Sequence, residues 1–154
     1  MKLQIRRAAF ETNSSSTHAL NVFKGNDYTI PENILISPGE FEWECKTYNY
    51  PEDKLSYLYT YLLSFYDKET AQEFLTVRLE KLGVKEVIFE DCDGWDPNGY
   101  IDHSNELHDM DILLNEFFED FVFNSASYIE TGNDNDDLDV SEDPYADFSI
   151  YKGN

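Results

Sequence analysis

Pro51-Glu52-Asp53-Lys54-Leu55-Ser56-Tyr57-Leu58-Tyr59-Thr60-Tyr61-Leu62-Leu63 is the stretch whose period decides the fold class. Leu55, Leu58, Tyr59, Leu62 and Leu63 recur three and four positions apart, the spacing that puts them on one face of an α-helix. The periodicity begins after Pro51, and Glu52 and Asp53 sit where the positive end of the helix dipole favours carboxylates. Moving outward, a second helix is predicted from about Lys68 to Leu82. It carries Ala71, Phe74, Leu75, Leu79 and Leu82, and Gly83 supplies a left-handed cap. A third is predicted after Ser104, with Leu107, Met110, Leu114, Phe117, Phe118 and Phe121 on its apolar face.

Between the helices the period changes to two. Leu3, Ile5 and Ala9 alternate with polar residues, and His18-Ala19-Leu20-Asn21-Val22-Phe23 reads as the returning strand after a polar turn over Thr12 to Thr17. Tyr28 to Ile36, Phe41 to Glu44, Val84 to Glu90, Phe121-Val122-Phe123, Ser127-Tyr128-Ile129 and Phe148 to Tyr151 are also expected to be extended. Asp91 to Gly99 and Gly132 to Asp143 are expected to be loops. The expectation is one α+β domain over residues 1–154, with about three helices packed on a mostly antiparallel sheet.

Hydrophobic residues make up 41% of the 154 and aromatics 16%, which is composition for a packed core rather than for an acidic disordered chain. No apolar run reaches the roughly 18 residues a membrane span needs, and Met1 to Arg7 does not lead into a secretory leader, so no membrane partner and a cytoplasmic location are expected. Cys45 and Cys92 are read as free thiols. The aromatic run Tyr57, Tyr59, Tyr61, Phe65 and Tyr66 exceeds what one helix face buries, so part of it is expected at the surface, as in a protein interface.

The net charge of −21 is unevenly spread. Met1 to Lys85 holds 10 basic and 12 acidic residues, whereas Glu86 to Tyr151 holds 20 acidic residues and no Lys or Arg. Such a field repels phosphate backbones and attracts basic surfaces, which argues against direct nucleic-acid binding. Asp91, Asp93, Asp96, Asp134, Asp136, Asp137 and Asp139 are the expected partner-binding residues. Their two loops do not fit a calcium-binding pattern, since an EF-hand counted from Asp134 meets Leu138 at a ligand position and Asp139 at the glycine position. The chain shows no pattern that calls for a cofactor. A competing chemical reading rests on His18, Asp102 and His103 as a metal-dependent hydrolytic or nucleotide-binding group beside the Asn13 to Thr17 turn. That turn has no phosphate-binding lysine motif and no Gly-x-Ser-x-Gly elbow.

Ile5-Arg6-Arg7-Ala8-Ala9-Phe10-Glu11-Thr12-Asn13-Ser14-Ser15-Ser16-Thr17-His18 resembles the opening of small proteins encoded by bacteriophages and mobile elements of Firmicutes-type hosts. Ser37 to Trp43, Asp53 to Tyr59, Gly99 to His103 and Gly132 to Asp134 are similar to the same pattern. The resemblance implies a phage or mobile-element origin and carries no catalytic residue with it. Small acidic phage proteins block host defence nucleases by occupying basic channels. The expected function is therefore inhibition of a host nucleic-acid-binding protein, such as a CRISPR effector or another nuclease, by nucleic-acid mimicry.

Overall fold

The protein is described here by a computed structural model that covers residues 16–25, 28–92, 96–133 and 140–153. The architecture is α+β. Strands β1 (Ser16–Val22), β4 (Thr47–Tyr48), β7 (Tyr128–Asn133) and β8 (Phe148–Lys152) form an antiparallel sheet in the order β4-β7-β1-β8. Two parallel pairs complete the strands: β2 (Asn33–Ile36) with β5 (Glu86–Phe89), and β3 (Glu40–Phe41) with β6 (Tyr100–Ile101). Helices α1 (Pro51–Leu63) and α2 (Lys68–Lys81) lie in the long crossover that any parallel β2–β5 pairing requires. Helices α3 (Met110–Glu116) and α4 (Phe118–Phe123) lead into β7.

Every residue of β1 is buried, as expected of a central strand covered on both faces. Leu20 stands opposite Ile129 on one side and Ile150 on the other, and all three join the core with Leu55, Leu58 and Leu62 of α1. On the opposite face the Asn21 side chain holds the segment that precedes β8. Its oxygen accepts from the Asp143 amide at 2.9 Å and the Ser149 hydroxyl at 2.6 Å. The α1 aromatics divide as expected: Tyr57 and Tyr59 are buried, whereas Phe65 and Tyr66 beyond the helix are exposed.

Both long helices form where they are predicted, α1 taking in Pro51 and α2 ending at Lys81 with Leu82 as its cap. Pro51 opens α1, the Asp67 carboxylate caps α2 by accepting from the Thr70 amide at 2.7 Å, and Gly83 closes it at φ +105°. The predicted third helix is broken. Ser104–Glu106 forms a single 3-10 turn, Asp109 is left-handed at φ 64°, and Phe117 separates α3 from α4. Phe121-Val122-Phe123, expected to be extended, is the last turn of α4. A three-residue apolar run has the same local pattern whether it is a buried strand or a buried helix end, and here all three side chains are buried. Ser16 and Thr17, expected in a turn, belong to β1, while the strand predicted at Leu3 to Ala9 and the rest of that turn lie outside the described residues.

Candidate functional site

The C-terminal end of β1 gathers acidic side chains from two distant parts of the chain. The Phe117 and Phe148 rings stack with centroids 4.6 Å apart, which fixes the α3–α4 junction against the start of β8. The Tyr28 hydroxyl donates to Glu119 at 2.9 Å and to Asp120 at 3.2 Å. Asp147 accepts from the Lys24 amide at 2.8 Å, and its own amide donates to the Val22 carbonyl. One layer further, Phe23 stacks on Tyr128, whose hydroxyl donates to Asp143 at 2.9 Å. Glu119 and Asp120 are thus tied to Tyr28, Asp147 to Lys24, and Asp143 to Tyr128 on the opposite face of the sheet, with the Lys24 ammonium over the Phe117 ring as a neighbouring cation. The electrostatics follow from this crowding. Burial, then the hydrogen bond to Asp143 and its charge, pushes the Tyr128 hydroxyl up to about 12, and burial with Glu119 and Asp120 raises Tyr28 as well.

Of the acids expected to meet a partner, Asp91 and Asp96 are described, and both are exposed on the β5–β6 connection. Asp91 is paired with Lys68 at 2.9 Å, so part of its charge is already answered within the chain. Asp96 caps a tight turn by accepting from the Asn98 amide at 2.9 Å. Asp93, Asp134, Asp136, Asp137 and Asp139 lie outside the described residues. Among the described acids from Glu86 to Asp147, Asp102 is the buried one. Asp120, Glu130 and Asp143 are half-buried, and the rest are exposed. The charge pattern favoured the acid-dense loops and missed Glu119, Asp120, Asp143 and Asp147, which come from two separate segments of the chain. The signal available was the aromatic beside three of them: Phe118 next to Glu119, Phe121 next to Asp120, and Phe148 next to Asp147.

The chemical alternative is only partly assembled. Both His18 ring nitrogens are occupied, one 2.8 Å from the Tyr57 hydroxyl and the other 2.7 Å from the Glu42 carbonyl oxygen. Burial, assisted by the charge of Lys152, lowers its pKa to about 4, so the ring is neutral near pH 7. Asp102 instead binds Ser16, accepting from its amide at 3.2 Å and its hydroxyl at 2.7 Å. Lys152 closes the group from β8, donating to the Ser16 carbonyl at 3.0 Å and to its hydroxyl oxygen at 2.8 Å. Burial alone would raise the Asp102 carboxyl. The Ser16 hydrogen bonds, His103 and Lys152 outweigh it and hold the carboxyl below the usual range. The Ser16 proton is directed at a carboxylate and its lone pair is taken by an ammonium, which is a satisfied clamp rather than an activated nucleophile. His103 is half-exposed and lies 3.7 Å from both Asp102 and Glu106. Among the described residues no three His, Cys, Asp or Glu side chains are grouped to hold a metal ion. Lys152 was legible in principle, since Phe148, Ile150 and Lys152 alternate onto one face of a strand.

No described helix is long and apolar enough to cross a membrane. Compared with protein-family models, curated proteins and solved structures, the chain finds no match.

Proposed function

We propose that the chain is a phage-type inhibitor that acts in the host cytoplasm by binding a basic surface of a nucleic-acid-binding protein, such as a CRISPR effector or another defence nuclease. The observation that carries this reading is that Glu119, Asp120, Asp143 and Asp147 are each held by hydrogen bonds on segments that flank the end of β1. Fixed carboxylates on a packed scaffold suit a surface that normally holds phosphates, and the half-buried rings add apolar contact area. Asp91 and Asp96 of the β5–β6 connection, with Asp93, Asp134, Asp136, Asp137 and Asp139, belong to the proposed contact. Inhibition then requires only occupancy: a channel that holds guide and target by their backbones loses access to them when carboxylates fill it.

The test is retention of the partner by the immobilised chain at about 50 mM and about 500 mM NaCl, with duplex DNA as competitor and mass spectrometry of what is held. Recovery of one nucleic-acid-binding protein, released by salt and by DNA and weakened by joint replacement of Glu119→Gln, Asp120→Asn and Asp147→Asn, is the expected result. Binding that ignores both salt and DNA would overturn charge mimicry.

A further inference from the structure

A cleft of about 410 Å³ opens between the α1–α2 turn and α3. Its walls are aromatic: Tyr61, Phe65, Tyr66 and Phe74 contribute, with Asp111 and Asn115 of α3 on the other side. Among the described residues that line it, Asp111 is the charged one, and no lysine or arginine lines it. Asp111 is exposed, and its carboxylate has no ion-pair partner among the described residues. Phe65 and Tyr66 are about half exposed, at 49% and 56%, so their ring faces are open to an incoming group. Tyr61 packs against Phe65 at 5.0 Å between centroids, which holds the two rings at an angle of 54° rather than letting them close on each other.

Aromatic faces attract cations through their quadrupole, and a nearby carboxylate adds a net charge to that attraction. The same wall already holds one guanidinium from inside the chain. Arg78 lies 3.4 Å from the centroid of Phe74 and donates to the Leu114 carbonyl at 3.0 Å and to the Asn115 side-chain oxygen. Arg78 does not line the cleft, and its donors are directed to these groups and to the Phe74 carbonyl, so the open side keeps its acid and its aromatic faces. An apolar side chain would gain the rings but leave Asp111 unanswered. A lysine would gain the charge, but its ammonium lacks the planar face that stacks on a ring.

We infer that this cleft receives an arginine side chain of the basic partner, its guanidinium stacked on Phe65 and Tyr66 and paired with Asp111. The inference rests on the proposed basic-surface reading and adds to it a contact with a stated shape. An acidic field alone does not distinguish arginine from lysine, whereas an aromatic cleft with one carboxylate does.

The test uses the full chain and three synthetic peptides, Ac-Gly-Arg-Gly-Arg-Gly-amide and the same peptide with lysine or with citrulline in place of arginine. Binding is followed by amide chemical shifts at fixed ionic strength. The arginine peptide is expected to shift amides of residues 61–74 and 110–115, with about tenfold weaker binding for lysine and citrulline peptides. Phe65→Ala and Asp111→Asn, both at exposed positions, are each expected to weaken the arginine peptide several-fold while leaving the remaining spectrum unchanged. Equal binding of the lysine peptide, shifts confined to other surfaces, or unchanged affinity in both variants would overturn the inference. The two readings fail separately. Salt-sensitive partner retention that survives both variants sinks the cleft alone, and cleft binding of the arginine peptide without any basic partner sinks the inhibitor reading alone.

Discussion

The Lys152 ammonium on β8 lies 2.8 Å from the Ser16 hydroxyl on β1, across 136 positions of sequence, and the same hydroxyl donates to Asp102. Three side chains from three distant segments thus satisfy one another where β1 begins, in a place where all three are buried. Lys152→Met is expected to cost about 2–4 kcal/mol, because it leaves the Asp102 carboxylate and the Ser16 carbonyl without their cation. Urea unfolding measures this, and Lys152→Met with Asp102→Asn is expected to recover part of the loss. A double variant no more stable than the single one would show that the charges are not coupled.

Lys54 is fully buried in α1 and donates at 2.9 Å to the carbonyls of Asn124 and Ser127, with the Phe121 ring 5.8 Å away. Burial lowers its pKa from 10.5 to about 7. The unfolded chain therefore holds more protons than the folded one between about pH 7 and 10, so this group makes stability rise with pH across that window, by at most about 1.4 kcal/mol per pH unit. Urea unfolding at pH 7 and pH 9 should show the gain in the wild type and a flatter profile in Lys54→Met. Equal slopes in the two proteins would exclude the assignment.

His18 works in a lower window. Its folded pKa of about 4 lies below the ordinary 6.5, so the unfolded state binds the extra proton first. Its contribution to stability is complete above pH 6.5 and is lost as pH falls toward 4. Imidazole nuclear resonance should report a neutral His18 ring at pH 5.5, and a ring that titrates near 6.5 would show that the Tyr57 and Glu42 contacts do not hold it.

Gly99 sets the β3–β6 pairing. It has φ +72°, and a side-chain carbon there would collide with the Gly39 carbonyl oxygen. Gly83, at φ +105°, has open space around it. Gly99→Ala is therefore expected to cost about 2–3 kcal/mol and Gly83→Ala about 1, the difference being the steric part of the penalty. Equal thermal shifts in the two variants would mean that β6 moves away from β3 without loss.

What sequence alone determined here is local. The Leu55 to Leu62 spacing after Pro51, the Ala71 to Leu82 spacing and Gly83 define α1 and α2, because helix formation depends on neighbours within one or two turns. The segregation of charge beyond Lys85 is likewise a property of the chain read in order. It did not determine that Phe121-Val122-Phe123 is helical, since three apolar residues carry no period of their own. Nor did it determine that Glu119 and Asp120 meet Tyr28, that Ser16 rests between Asp102 and Lys152, or that Asp111 lines one cleft with Phe65 and Tyr66. The Ser16–Lys152 contact follows from the β1–β8 pairing, and the others from how the helices and loops pack on that sheet. Tertiary structure decided them because contacts between distant residues follow from burying a common core, and many chain paths share the same local pattern.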